Sequence, residues 1–412
     1  MDSSRLQETT PDAMLRDLAT ARIALVHYWY VRRGGGELVL DVLAEMFPQA
    51  DIFCLVADPS LMPPATRSHK LTTSFMDRLP GGRRHYRKLM ALMPLALEGF
   101  RLDDYDIVIS HEAGPSKGVL TRARTLHVNY SHSPIRYVWE MYHDYVDDAP
   151  GGALGRLVFK LSSHYMRLWD YAAAGRVDRF VASSRNGAER IAKYYRRESD
   201  VIYPPVNLSS CKAASERDDF YLIVSRLVPY KRIDLAIQAC NALGRQLVII
   251  GDGFQRRELA AMAGPTVKLL GRQPDEVVFD HYARCRAFLL PGEEDIGLTP
   301  IEAQASGAPV IAYGAGGVLE TVRGVIAGQD VDPGTTGVFF LEKTSAALQQ
   351  AILAFEAQES RLSRADLVAQ AARFSTEEFK LKFSAMVARY YAEYRSRNLL
   401  PRGTASEAVR NR

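Results

Sequence analysis

Short apolar runs alternate along the chain with segments whose apolar residues recur every three or four positions. This is the pattern of parallel sheets covered on both faces by helices. Residues 23–27 form a buried strand that runs through Tyr28, Trp29 and Tyr30 into Gly34-Gly35-Gly36. Leu38, Val42, Leu43 and Met46 then keep a helical period. Further strand-like runs lie at 105–110, 125–129 and 179–183. At 203–207 two prolines, Pro204 and Pro205, fix φ and remove donors, so the chain cannot be helical there. With the polar stretch 209–219 this marks a domain boundary. A second strand–helix series follows at 220–225, 247–250, 267–270, 287–290, 309–313 and 337–340. The expected architecture is α/β, with two doubly wound parallel-sheet domains over 1–205 and 206–375. Ligands of such sheets sit at the carboxyl ends of the strands, and two facing sheets would aim their loops into one interdomain cleft. Residues 376–396 read as a helix available to return to the first domain.

At about 150 residues per domain, 412 residues suit two or three domains. An apolar fraction of 47% and a charged fraction of 24% exclude disorder, a collagen-like repeat and a coiled coil for the whole chain. A formal charge of +4 falls well short of a dedicated nucleic-acid binder. Cys54, Cys211, Cys240 and Cys285 lie far apart with no C-x-x-C pair, which argues against a zinc site or a disulfide framework and suits a reducing cytosol. The polar, acid-bearing start lacks the pattern of a secretory signal. No apolar run reaches the roughly 18 residues that span a bilayer. The expectation is a cytoplasmic protein, soluble or peripheral.

Three loops carry candidate chemistry. Gly34-Gly35-Gly36 sits where a strand yields to a helix; it is either a tight turn or a place where backbone N–H groups meet an anion. Arg226 and Lys231 share one strand-to-helix loop, either a solvated basic loop or a guanidinium and an ammonium set for two phosphoryl groups. In the segment 291–307, Glu294 and Glu302 stand eight residues apart. Thr299 reads as N-cap and Pro300 as first helical residue, which leaves Glu294 in the preceding loop and Glu302 in the first turn. The two carboxylates either complement a helix dipole or grip sugar hydroxyls. Asp103-Asp104-Tyr105-Asp106 reads as a solvated turn before a strand, so no metal site is expected.

With Gly251-Asp252-Gly253 and the Gly314–Val322 segment, these residues make the chain similar to retaining glycosyltransferases of family 4, which have the GT-B fold. The segment 129–140 resembles a motif of bacterial mannosyltransferases that build lipid-linked polysaccharide repeats. The resemblance implies two facing Rossmann-like domains. It implies that Gly35 and Gly36 present backbone to the donor diphosphate, that Arg226 and Lys231 neutralise the leaving group, and that Glu294 holds the transferred sugar. Glu302 would meet the ribose, Gly297, Leu298 and Thr299 would offer N–H groups, and Gly271 and Arg272 would border the base. His132 would sit by the reacting centre, with His111, Arg136 and Tyr137 on the acceptor side.

Arg83, Arg84, Arg87 and Lys88 precede a run of Leu and Met, either an interfacial membrane patch or a core helix with a basic end. The expected activity is hexose transfer, as mannose from GDP-mannose, to a polyprenyl-diphosphate-linked oligosaccharide at the inner membrane face. No resident cofactor or metal is expected. A UDP-sugar donor with a soluble acceptor, a non-catalytic nucleotide-sugar scaffold and a nucleotide-sugar epimerase remain open alternatives.

Overall fold

The computed structural model describes residues 11–397 apart from 33, 113, 148 and 215. The chain divides into two compact units. The first takes residues up to Ala182, Arg190–Ile202 and the chain from Lys380 onward; the second takes Ser183–Glu189 and Tyr203–Phe379.

The first unit is built on seven parallel strands: β1 (Ile23–Tyr30), β2 (Asp51–Ala57), β3 (Leu71–Thr73), β4 (Ile107–Glu112), β5 (Leu126–Ser131), β6 (Arg179–Ala182) and β7 (Ser199–Val201). Their order is β3-β2-β1-β4-β5-β6-β7. Central β1 opens on an apolar run because both faces are covered there, and Ile23 through Val26 have no exposure. Register sets His27 of β1 beside His111 of β4, and His111 beside Tyr130 of β5. The strands expected at 105–110 and 125–129 begin later and run further, to Glu112 and Ser131. Tyr105 instead donates to Asp51 from outside the strand.

The second unit carries β8 (Tyr221–Val224), β9 (Leu247–Ile250), β10 (Val267–Gly271), β11 (Ala287–Leu290), β12 (Val310–Tyr313), β13 (Gly324–Ile326) and β14 (Gly337–Phe340). Their order, β10-β9-β8-β11-β12-β14-β13, is again all parallel. Its core joins Ile223, Leu235, Ile249, Leu289 and Phe355, so the helices Ile233–Leu243 and Ser345–Gln358 close on the sheet. The segment after the two prolines is tied to this unit: the Val206 N–H donates to the Phe374 carbonyl at 2.9 Å.

The C-terminal helix Thr376–Arg397 enters the first unit at Lys380. Phe383 meets Tyr130 edge to face at 5.7 Å, Lys380 pairs with Glu45 at 2.8 Å, and Arg179 pairs with Glu393 at 2.9 Å.

The basic stretch divides by role. Arg83 is held by both carboxylate oxygens of Asp77, at 2.7 and 2.9 Å, which removes it from the set of cations open to a membrane. Met93, Ala96 and Leu97 pack into the core with Phe53 and Phe100. Of the apolar run only Leu92 and Leu95 are exposed.

The long helix Gly152–Ala174 buries Ser163, Met166, Asp170 and Ala173. Asp170, fully buried, accepts from the Lys117 ammonium, from Trp139 Nε1 at 2.8 Å and from the Tyr195 hydroxyl at 2.8 Å. Three donors on one carboxylate offset its loss of water; removing it strands a buried cation. Asp170→Ala is expected to lower stability by about 3–5 kcal/mol, read from urea unfolding of the full chain.

Candidate functional site

In an all-parallel sheet every loop that follows a strand leaves the same edge. In the second unit this edge gathers the loops 225–231, 251–253, 272–274 and 291–297. Two of them touch backbone to backbone. A Cβ on Gly292 would lie 2.6 Å from Lys231 Cα and 2.6 Å from the Tyr230 carbonyl oxygen, so only glycine lets these loops meet. That contact brings Lys231 onto Glu294, and the ammonium and carboxylate form an ion pair with both side chains largely buried. Lys231 also stands 5.2 Å from the Tyr230 ring centre, while exposed Arg226 donates to the Tyr230 hydroxyl at 2.8 Å. The Glu294 carbonyl accepts from the Gly317 N–H at 2.8 Å, which anchors this loop to the turn after β12.

Gly297, at φ 72° and ψ 90°, starts the helix Leu298–Ala305. Thr299 is therefore not the N-cap, and no side chain caps this helix. Glycine alone adopts that backbone at little cost, and it starts the helix at Leu298. Pro300 falls third, where its missing N–H costs nothing because first-turn N–H groups have no partner within the helix. Leu298 and Thr299 thus leave free N–H groups at the positive end of the helix dipole, beside Glu294. Glu302 lies in the second turn, not the first, and accepts from the Tyr282 hydroxyl at 3.1 Å. Burial, partly opposed by that hydrogen bond, raises its carboxyl to about 7. Gly271 ends β10 and accepts from the Gly251 N–H at 2.9 Å; Arg272 beside it is exposed.

The first unit holds a second constellation. Gly35 and Gly36 open the helix Gly35–Met46, so their N–H groups also belong to an unpaired first turn. A Cβ on Gly36 would lie 3.9 Å from His27 Cε1. From there three histidines run in a row. His27 Nδ1 lies 3.2 Å from the His111 carbonyl and 3.1 Å from His111 Nδ1, the two rings stack 5.0 Å apart, and His111 Nε2 meets His132 Nε2 at 2.8 Å. The carbonyl can only accept, so the network assigns the proton of His27 to Nδ1 and that of His111 to Nε2, leaving His132 Nε2 as acceptor. Burial keeps both inner rings neutral: His27 falls to about 3 and His111 well below its ordinary value.

His27 and Glu37 carried no expectation from sequence. Glu37 is buried in the first turn beside Gly34, its Oε1 has no hydrogen-bond partner, and burial raises its carboxyl. A histidine ending an apolar strand and an acid directly after a glycine run were the available signals. Arg136 lies 3.9 Å from Glu140, and Tyr137 pairs its ring with Tyr145 at 6.0 Å. Both flank the small core of Ile135, Val138 and Met166. Among the described residues no group of three or more His, Cys, Asp or Glu side chains is placed to hold a metal ion.

Comparison with known proteins places these features in context. Residues 33–210 match the model of Glycosyltransferase Family 4, and residues 209–374 match Glycosyl transferases group 1. The chain is 32% identical over 232 residues to a D-inositol 3-phosphate glycosyltransferase of Nocardia farcinica, covering 48% of this chain and 49% of that protein. It thus spans about half the length of that relative. It is 28% identical to a GDP-mannose-dependent alpha-mannosyltransferase of Mycobacterium tuberculosis, over 65% of this chain and 72% of the other. Among solved structures, sucrose-phosphate synthase from Thermosynechococcus elongatus superposes with a TM-score of 0.67 at 17% identity, over 90% of this chain and all of that one. That superposition bears on the fold alone.

A carboxyl raised from 4.5 to about 7 binds its proton more tightly folded than unfolded. Its stabilising contribution is complete below pH 4.5 and is lost as pH rises through 7. Glu302→Gln lacks that loss. The stability of the native chain relative to the variant should fall by about 2 kcal/mol between pH 4.5 and pH 8, as urea unfolding at the two pH values would show.

Proposed function

We propose that this chain is a glycosyltransferase of family 4, whose model its residues 33–210 match, and that it transfers a hexose with retention at the anomeric carbon. The donor is GDP-mannose, and the acceptor is a hydroxyl of a polyprenyl-diphosphate-linked oligosaccharide in polysaccharide assembly. The observation that carries the reading is the edge of the second sheet. There Lys231, Glu294 and the free N–H groups of Leu298 and Thr299 stand within one pair of touching loops.

The chemistry follows from charge. The bond between the anomeric carbon and the diphosphate oxygen breaks with its electron pair leaving on the diphosphate, while a bond forms to the acceptor oxygen. The acceptor's proton is released against the charge gained by the nucleoside diphosphate. Lys231, Arg226 and the helix N-terminus stabilise that developing negative charge, and preorganised groups of this kind supply several kcal/mol. When the diphosphate takes the Lys231 ammonium, Glu294 is freed to accept from sugar hydroxyls, each partner of the resting pair passing to one half of the donor. Glu302 meets the ribose, and Gly271 and Arg272 border the base. In the first unit Gly35 and Gly36 offer N–H groups to phosphate. His132 contacts the substrate through a ring oriented by His111 and His27, with Arg136 and Tyr137 on the acceptor side. No resident metal or cofactor is needed, since cations and N–H dipoles take its place. The relatives whose names specify GDP-mannose support the choice of donor. Arg84, Arg87 and Lys88 meet anionic lipid at the cytoplasmic face of the membrane. No helix among the described residues is long and apolar enough to cross one.

A soluble phosphorylated acceptor is the second reading, favoured by the name of the Nocardia relative.

A thermal-shift panel of GDP-, UDP- and ADP-sugars is expected to raise the melting transition most with GDP-mannose. A stronger shift with a UDP-sugar would transfer the assignment to that donor. Transfer of labelled mannose should drop roughly a hundredfold or more in Glu294→Gln while the variant still unfolds cooperatively, and near-normal turnover would dismiss the role given to that carboxylate. Activity should persist in EDTA; complete loss with rescue by manganese would overturn the metal-free mechanism.

A further inference from the structure

The helix Gly152–Ala174 has two apolar faces where a surface helix needs one. Its inner stripe, through Ser163, Met166 and Ala173, is buried. The opposite face carries Leu154, Leu157, Val158, Leu161, Tyr165 and Leu168, of which Leu154, Leu161 and Leu168 are 72%, 64% and 61% exposed. These positions follow i, i+3, i+4, i+7, i+11 and i+14, so they form one continuous ridge about three turns long and more. Single exposed leucines need no explanation; a contiguous ridge does.

The charges say what covers it. By helical spacing Arg156 and Lys160 line one edge of the ridge, Arg167 turns inward to donate to the Val138 carbonyl at 2.7 Å, and the helix's acid, Asp170, is consumed by Lys117 inside the unit. Arg156 and Lys160 make no ion pair among the described residues and are exposed. The segment Tyr86–Leu92 packs against the same helix, with Met90 beside Met166. That segment itself carries exposed Arg87, Lys88 and Leu92. The helix Tyr142–Asp147 packs on the same helix and carries exposed Asp144 and Asp147, so a two-fold contact between copies would set these acids beside the cationic edge, and the test below separates self-association from membrane binding. An anionic bilayer meets both features at once: leucines enter the acyl boundary while the basic edge lies at headgroup depth.

We propose that the outer face of Gly152–Ala174 is the docking surface of this chain on an anionic membrane, lying in the interface rather than crossing it. This deepens the reading of a lipid-linked acceptor by naming the surface that holds the protein at the membrane, and it moves the principal contact from the expected basic stretch onto this helix.

The test is co-sedimentation of the full chain with vesicles of phosphatidylcholine alone or mixed with phosphatidylglycerol. The native chain should partition onto the anionic vesicles and release in high salt. Leu157→Gln/Leu161→Gln/Leu168→Gln should weaken partition roughly tenfold or more. Arg156→Gln/Lys160→Gln should weaken it roughly tenfold on anionic vesicles only. All the substituted side chains are exposed and none is assigned to the site, so the melting transition and its shift with GDP-mannose should stay as in the native chain. The proposal is overturned if the native chain ignores anionic vesicles, or if either variant binds them as well as the native chain. It is equally overturned if sedimentation velocity shows self-association broken by the leucine substitutions without vesicle binding. Vesicle binding lost in the variants while no nucleotide sugar shifts the native chain would keep the docking surface and remove the glycosyl-transfer reading.

Discussion

The candidate site rests on a close approach of two backbones. Gly292 lies against the main chain of Tyr230 and Lys231 with no room for a Cβ, and the loops after β8 and β11 can meet only for that reason. The Lys231–Glu294 ion pair is a consequence of that contact, because it brings together two side chains from strands that are neighbours in the sheet. A larger residue at 292 would separate the ammonium from the carboxylate without touching either. The parallel sheet supplies the other half of the constraint: it sends the loops after β8, β9, β10 and β11 out of one edge, so anion-binding groups collect there without being near in sequence.

The resting ion pair gives the site a defined empty state. A lone buried ammonium or carboxylate would pay a desolvation penalty, and each here satisfies the other. An anion that displaces Glu294 from Lys231 leaves the carboxylate wanting donors, which hydroxyls can provide. The same economy operates in the histidine row of the first unit. Two buried, neutral rings fix the third by hydrogen bonds whose direction is set by one carbonyl, so His132 presents a defined face.

Outside the candidate site, the two units are held by different devices. The first relies on a buried ion pair, Lys117–Asp170, wrapped by Trp139 and Tyr195. The second is joined by guanidinium–carboxylate contacts around Glu356, which accepts from Arg245 and Tyr221 and is held well ionised by them. The outer face of Gly152–Ala174 stands apart from both, because among the described residues nothing covers its leucines.

Periodicity alone determined the α/β class, the second strand series, the loop positions of Arg226, Lys231 and Glu294 and the helical position of Glu302, because buried parallel strands and amphipathic helices differ in period. It did not identify β2, β3, β7 or β13: β3, β7 and β13 are three-residue edge strands with little pattern, and β2 begins with a polar Asp51. Thr299 looked like a helix cap because its residue type favours one, but a positive φ at Gly297 decided the boundary two residues earlier. His27 became part of a row only through strand register, and Glu302 acquired its raised proton affinity only through burial against Tyr282. The helix at 152–174 reads as ordinary from its apolar content; which of its two apolar faces is covered is a matter of packing. Local chemistry is written in residue type and spacing, whereas proximity, burial and exposure depend on contacts between segments far apart in the chain.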